Sequence, residues 1–205
     1  MNEFDPLAVA LMVTKAFERM GVRYVLGGSL ASTAMGEPRA TLDVDLVADL
    51  QASTVSGWIV ELGQDFSVDK AWATAEVLRR GAFQVMHLPS LLRIDVFVPP
   101  WEGVHLWKWQ RRRRLVLDPA TQAGLDVTAA EGIVIQKLLW FRSGGEVSDR
   151  QWRDVLGVLK TQKASLDVAE LDLWAERCAV LDLLVRAKRQ AGLGGPSTGT
   201  DGPAS

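Results

Sequence analysis

Residues 23–46 read RYVLGGSLASTAMGEPRATLDVDL, and the order of residue types in this stretch decides the fold. Arg23–Gly27 is short, aromatic and β-branched, which predicts a strand. Gly27-Gly28-Ser29 predicts a turn into a short helix, Leu30–Met35. Thr41–Ala48 alternates from one residue to the next, which predicts a second strand. The stretch therefore predicts a strand, a glycine turn, a short helix and another strand, in that order.

Two carboxylates occupy alternate positions of the second predicted strand. Because strand side chains alternate between faces, Asp43 and Asp45 are expected to point the same way. The residues between and beside them, Leu42, Val44 and Leu46, are expected to face a core. Like charges side by side repel each other and raise one pKa, and a divalent cation is a natural reason to place them together. Asp43 and Asp45 are therefore predicted metal ligands, and magnesium is the metal that such oxygen ligands suit.

A third carboxylate, Asp95, lies in the predicted strand Leu92–Val98, which follows Phe83–Leu88 at hairpin spacing. A neighbouring strand can bring Asp95 beside the aspartate pair. Three carboxylates can hold two magnesium ions, which clamp the attacking and leaving oxygens of an in-line displacement. In such a site Asp95 would also help to deprotonate the attacking hydroxyl.

The glycine turn supplies the second half of a nucleotide site. Gly27 and Gly28 let backbone N–H groups approach a phosphate, and Ser29 is predicted to cap the following helix, whose N-terminus attracts anions. A Gly-Gly-Ser tripeptide alone is usually an ordinary turn, and an Asp-x-Asp strand alone is often an exposed acidic face. Their combination in this order favours a metal and phosphate site.

The whole chain is predicted to divide into three regions. Residues 1–127 form an α/β domain, and residues 128–191 form a helical region packed on it. Residues 192–205 are rich in Gly, Pro, Ser and Thr and form a disordered tail. Residues 101–118 mix helix-forming and strand-forming residues and predict neither element. Helices are predicted at 6–20, 54–62, 72–80, 129–142, 150–161, 167–178 and 180–190.

Composition limits the alternatives. The net charge of −2 gives no overall attraction to nucleic acid, and the single cysteine, Cys178, excludes an internal disulfide. No apolar run approaches the roughly 18–20 residues of a membrane span, and the acidic N-terminus does not resemble a signal peptide. A cytoplasmic protein without membrane partners is expected.

The order of these elements resembles the nucleotidyltransferase superfamily, and residues 36–46 are similar to its AbiEii/MenT-type, type IV toxin-like subgroup. The resemblance implies an α/β (α+β) nucleotidyltransferase fold: a small mixed sheet with flanking helices and a C-terminal helical bundle. It also implies magnesium-dependent transfer of a nucleoside monophosphate from a nucleoside triphosphate to an acceptor hydroxyl. RNA, including tRNA, is the acceptor that the subgroup implies, and a cognate antitoxin is the implied partner.

The resemblance continues into the helical region. Residues 128–139 are similar to the family's Ser-Pro-Glu-Asp…Lys segment, although Gly132 stands where an acid is common, and residues 151–154 are similar to its later Arg-Asp or Lys-Asp motif. By resemblance, Lys137 contacts the nucleotide's phosphates and Asp154 shapes the site. From the residues alone, Lys137 also fits a lysine that reaches water from a buried helix, and Asp154 fits either solvated surface or a cleft wall.

Three arginines are candidates for contacts to phosphate or acceptor. Arg39 could instead pair with Asp43 or Asp45, or be structural. Arg112 and Arg114 share one face if residues 111–114 form a strand, and this basic run fits either an RNA backbone or a solvated face. The alternative functions are transfer to a small molecule or protein, and a nucleotide-binding module of the same fold without catalysis.

Overall fold

A mixed sheet organises the protein, whose computed structural model describes residues 5–36 and 42–193. Its strands in chain order are β1 (Tyr24–Leu26), β2 (Val44–Ala48), β3 (Phe66–Ser67), β4 (Ala82–His87), β5 (Leu92–Phe97), β6 (Arg113–Asp118) and β7 (Ala123–Val127). Within the described residues these seven strands are ordered β3-β4-β5-β2-β1-β7-β6. Strand β2 runs antiparallel to β1 and parallel to β5, and β1 runs parallel to β7.

Helices cover the sheet and extend beyond it. Their bounds are α1 (Pro6–Arg19), α2 (Gly28–Met35), α3 (Val55–Leu62), α4 (Lys70–Arg79), α5 (Gly103–Gln110), α6 (Ala130–Ser143), α7 (Asp149–Thr161), α8 (Val168–Arg177) and α9 (Leu181–Gln190). No helix in the described part of the chain is both long and apolar enough to cross a membrane.

One face of the sheet is closed by aromatic packing. The rings of Phe17 in α1 and Trp58 in α3 stack with centroids 4.9 Å apart, and Trp58 meets Phe83 of β4 edge-on at 5.8 Å. Val44 and Leu46 of β2 are fully buried among the same core residues. Because side chains alternate along a strand, the residues between them face the other side of the sheet. The functional site lies on that other face.

The C-terminal helices continue the same core. Leu138 of α6 and Val158 of α7 are fully buried and belong to one hydrophobic cluster with the sheet residues. Asp167 caps α8 by accepting the Glu170 N–H at 3.1 Å, and the Trp152 indole of α7 donates to Gln190 of α9 at 2.8 Å. The Trp152–Gln190 bond joins α7 to α9, and the shared core packs the helices against the sheet.

The mixed sheet with flanking helices and a helical C-terminus confirms the predicted fold class. Four differences stand out. Residues 101–118 form α5 and β6, and β7 was not predicted at all. Leu42, predicted to face the core, is 70% exposed because it precedes β2. Leu193 donates its N–H to Lys188 at 2.8 Å, so the first residues of the predicted tail still adjoin α9. Residues 194–205 lie outside the described part of the chain.

Candidate active site

A row of polar side chains crosses the open face of the sheet. Asp45 of β2 and Asp95 of β5 are direct neighbours in the parallel pairing, and Gln84 of β4 lies opposite Asp95. The next row along the strands is apolar, because Val47 pairs with Phe97. The structure thus places two of the three predicted carboxylates side by side, with an apolar floor beyond them.

The glycine turn wraps around Asp45. A Cβ atom built on Gly28 would lie 1.7 Å from Oδ2 of Asp45, and Gly28 has a φ of 59°. The Gly27 N–H donates to the Asp45 carbonyl at 2.9 Å, and the Ser29 N–H hydrogen-bonds the Asp45 side chain. Ser29 is not the N-cap that the sequence predicted, because α2 begins at Gly28, two residues before the predicted start at Leu30, and Gly27 occupies the cap position. The turn and the carboxylate therefore form one unit.

Asp45 is electrostatically crowded. Burial raises the pKa of this carboxyl, and the negative charges of Asp95 and Asp43 raise it further. The Ser29 N–H and the charge of Lys137 act in the opposite direction without cancelling the effect. A cation placed among these carboxylates would relieve the repulsion.

Asp43 lies just before β2, so strand alternation does not fix its direction. Its Oδ2 is 3.5 Å from Nη2 of Arg150 on α7, and the same nitrogen donates to the Ser29 hydroxyl at 2.8 Å. Arg150 thereby joins the helical region to both halves of the site. Sequence reasoning missed Arg150, although its spacing of four residues from Asp154 places the two on one face of a helix.

Lys137 and Asp154 form a buried ion pair. Nζ of Lys137 donates to Oδ2 of Asp154 at 2.8 Å, and the lysine is only 1% exposed. The Asp154 side chain is 10% exposed, so neither a lysine that reaches bulk water nor a solvated aspartate describes the pair. The Lys137 ammonium also lies 5.5 Å from the centroid of the Trp140 ring. The two predicted residues are brought together beside Asp45, while their role toward a nucleotide remains a prediction.

A cavity of about 400 Å³ adjoins the carboxylate row. The glycine turn, Asp45 and Lys137 line it, and so do the apolar residues Val47 and Phe97. Polar residues that sequence reasoning missed also line this cavity: Arg80, His105, Lys108 and Gln136. Two of them lie on α5, in the segment whose mixed composition predicted no element.

The number of carboxylates that lie together fits a site for one magnesium ion. Within residues 5–36 and 42–193, no three His, Cys, Asp or Glu side chains form a group placed to hold a metal ion. Asp45 and Asp95 share one row, whereas the Asp43 carboxylate lies against Arg150. Magnesium binds through one or two carboxylates and completes its shell with phosphate oxygens and water, so the Asp45–Asp95 row suffices for one ion. The metal-ligand roles of Asp43, Asp45 and Asp95 and the expected two ions remain predictions.

Of the three arginines predicted to contact phosphate or acceptor, two lie away from the cavity and one lies outside the described residues. Arg112 donates to Asp126 at 2.7 Å, and Arg114 donates to Glu18 at 2.7 Å. Arg114 belongs to the edge strand β6 and Arg112 directly precedes it, and neither lines the cavity. Arg39 falls in the stretch 37–41, which the structure does not describe.

The chain is similar to known proteins in its structure. No protein-family model and no curated protein matches the chain. An antigenic nucleotidyltransferase-like protein from Paracoccidioides brasiliensis is similar with a TM-score of 0.51 and 14% identity, over 88% of this chain and 91% of that chain. The chain has the nucleotidyltransferase fold.

Two further solved structures are similar to this nucleotidyltransferase-fold chain. The antibiotic-resistance factor ANT(2'')-Ia has a TM-score of 0.49 and 11% identity, over 89% of this chain and 96% of that chain. The lincosamide antibiotic adenylyltransferase LnuA, bound to lincomycin, has a TM-score of 0.43 and 13% identity, over 73% of this chain and 94% of that chain.

Proposed function

We propose that the protein is a magnesium-dependent nucleotidyltransferase that moves a nucleoside monophosphate from a nucleoside triphosphate to an acceptor hydroxyl. The observation that carries the proposal is the Asp45–Asp95 row in direct contact with the Gly28 turn, with the buried cation Lys137 lining the same cavity. Carboxylates that crowd each other beside a buried cation suit a substrate that brings both metal ions and phosphates.

The reaction is an in-line displacement at the α-phosphorus. The acceptor oxygen forms a bond to that phosphorus, the bond to the bridging oxygen of the leaving group breaks, and pyrophosphate departs with the electron pair. Asp95 accepts the proton of the acceptor hydroxyl and passes it to solvent. Magnesium, when bound by Asp45 and Asp95, supplies charge neutralisation at the reacting oxygens.

Binding of the triphosphate falls to the residues around the turn. Lys137 offers an ammonium held in place by Asp154, and the N-terminus of α2 offers backbone N–H groups that favour an anion. Because Asp154 also fixes the direction of Lys137, it acts as a positioning residue. Arg150 has the same function for Asp43 and Ser29.

The first candidate acceptor is RNA, including tRNA, with the protein acting as a toxin restrained by an antitoxin. The support is the resemblance of residues 36–46 to the AbiEii/MenT-type subgroup. Growth after induction of the wild type and of Asp45→Asn tests this role. Toxicity that requires Asp45 supports it, and equal growth of the two strains contradicts it.

The second candidate acceptor is a small molecule or a protein. The basic run that could follow an RNA backbone is engaged within the protein, because Arg111 contacts Asp167 at 3.2 Å and Arg112 contacts Asp126. These ion pairs leave less positive charge for a polyanion than the sequence suggested. The near-neutral net charge favours the same candidate.

The test of transfer uses each of the four ribonucleoside triphosphates, labelled at the α-phosphate, with magnesium and total RNA or a cell extract. Label is expected to reach an acceptor with the wild type and to be lost with Asp45→Asn and Asp95→Asn. Asp126→Asn is the matched control, because it removes a carboxylate that pairs with Arg112 away from the cavity. Equal labelling by the wild type and the Asp45 and Asp95 variants would contradict the proposal. Tight magnesium-dependent binding without transfer would identify a nucleotide-binding module instead.

A further inference from the structure

The helical wall of the cavity carries polar groups that the proposed reaction leaves unused. His105 and Lys108 lie three residues apart on α5 and therefore on the same face of that helix. Both line the cavity, as does Gln136 of α6. Lys108 is only 5% exposed although no carboxylate of the described residues forms an ion pair with it, and such burial is unusual for a lysine.

Lys108 is held in one place. Its Nζ donates to Oε1 of Gln136 at 2.6 Å. Its alkyl chain passes over Gly132, where an added Cβ would lie 2.9 Å from Cγ of Lys108. Gly132, the residue that departs from the family pattern, thus gives the lysine stem its path into the cavity wall. Because the Gln136 carbonyl accepts this bond, the polar groups that Lys108 and Gln136 can offer a ligand are mainly N–H donors.

His105 adds a group without a partner. Its Nδ1 is buried and has no hydrogen-bond partner among the described residues. Burial, assisted by the charge of Lys108, lowers the pKa of His105 to about 4, so the ring is neutral near pH 7 and offers one donor and one acceptor. Because His105 lines the cavity, a polar ligand that enters can supply the partner that this ring nitrogen lacks.

The same cavity has an apolar side. Val47 and Phe97, paired on adjacent strands, line it from the sheet, and Pro99 extends this surface. An apolar surface combined with a few fixed polar groups suits a flat ring with hydrogen-bonding atoms on its edge. The cavity continues to the Gly28 turn and Lys137, where the phosphates are proposed to lie. In a nucleoside triphosphate, the ribose joins such a ring to the phosphates.

We propose that Lys108, Gln136 and His105 form the subsite that recognises the nucleobase of the triphosphate, with Val47 and Phe97 as its apolar floor. This inference rests on the proposed nucleotidyltransferase function and deepens it, because it assigns base selectivity to named residues. The donors of Lys108 and Gln136 favour bases that present a carbonyl oxygen, such as guanine, uracil and cytosine, over adenine, which has none.

Equilibrium binding without an acceptor tests the subsite. The probes are the magnesium complexes of ATP, GTP, CTP and UTP, together with magnesium tripolyphosphate, which has no base. The wild type is expected to discriminate among the four nucleotides by about tenfold, the contribution of one good contact to a base edge. Lys108→Met and Gln136→Leu are expected to reduce this range to about threefold while tripolyphosphate affinity stays within about twofold. Lys70→Met, a change on the exposed face of α4, is the matched control.

The outcomes separate this inference from the proposed function. If the wild type binds neither the nucleotides nor tripolyphosphate, the proposed function itself fails. If nucleotides bind but Lys108→Met and Gln136→Leu leave their discrimination unchanged, only the base subsite is wrong. If Lys108→Met weakens tripolyphosphate and all four nucleotides equally, Lys108 is a phosphate contact and the base subsite is again wrong. Circular dichroism and thermal melting confirm that the variants fold, so every result bears on binding.

Discussion

Oδ2 of Asp45 occupies the space that a side chain at Gly28 would need, since an added Cβ would lie 1.7 Å from it. The contact explains why a glycine stands at this position of the turn. It also means that the carboxylate cannot move toward α2 and that the turn cannot accept a larger residue without displacing the carboxylate.

Gly28→Ala is expected to lower transfer activity by about a hundredfold, because a displacement of the Asp45 carboxylate by about 1 Å misplaces the reacting groups. Gly21→Ala is the matched control: Gly21 has a similar φ of 66°, but nothing lies within 4 Å of its added Cβ. Both variants lose about 1–2 kcal/mol of folding stability from the left-handed backbone. Transfer rates that fall equally in both variants would show that strain alone matters.

Asp45→Asn is expected to stabilise the protein at pH 7 in the absence of magnesium, because it removes a buried negative charge beside Asp95. Burial and the charge of Asp95 raise the pKa of Asp45 in the folded state. The favourable contribution of the wild-type residue is therefore complete below the ordinary pKa of 3.8 and is lost as pH rises through the folded pKa. Urea unfolding at pH 7 and at pH 3.5 measures the difference, which should vanish at the lower pH. An Asp45→Asn variant that is less stable than the wild type at pH 7 would contradict the electrostatic repulsion between Asp45 and Asp95.

Asp154→Ala is expected to destabilise the fold by about 3 kcal/mol, because it removes the carboxylate that pairs with the buried Lys137 ammonium. Lys137 itself is only 1% exposed. Lys137→Met should cost a similar amount, and the double variant should cost clearly less than the sum. Urea unfolding of the four proteins gives the coupling free energy, expected at about 2 kcal/mol. Additive losses would mean that the pair has no interaction of its own.

The neutral state of His105 predicts a loss of stability in mild acid. Its pKa is about 4 in the folded protein and 6.5 ordinarily, so the unfolded chain binds more protons between these values. Stability attributable to His105 is therefore complete above about pH 6.5 and falls as the pH drops toward 4. The loss is about 1 kcal/mol relative to His105→Gln, below the full linkage value because the ring is partly exposed. Parallel stability curves of the two proteins between pH 7 and pH 4 would contradict the shift.

Sequence patterns sufficed where periodicity was strong. The apolar spacing of α6 to α9 predicted these helices within a few residues, and the alternation around Asp45 predicted β2. Asp95 was predicted to reach Asp45 from a neighbouring strand, and the register of β2 and β5 places it there. These features depend on local residue order or on strand alternation, which a single sequence displays.

The remaining features depend on contacts distant in sequence. His105 and Lys108 lie on a short helix of mixed composition, and the position of α5 against α6 is set by tertiary packing. The partners of Arg112 and Arg114 come from β7 and α1, so the sequence could not distinguish a binding face from an internal network. Arg150 reaches Ser29 across 121 positions, a relation that no local pattern displays.

Helix α7 carries both Arg150, which contacts Asp43 and Ser29, and Asp154, which contacts Lys137. The site is therefore divided between residues 1–127 and residues 128–191, which fold against each other. Neither of these stretches contains the complete site. A fragment ending at residue 127 would contain Asp45 and Asp95 but would lack Lys137. A substrate that contacts both stretches would stabilise their association. Bound nucleotide should therefore slow proteolytic cleavage between the sheet and the C-terminal helices.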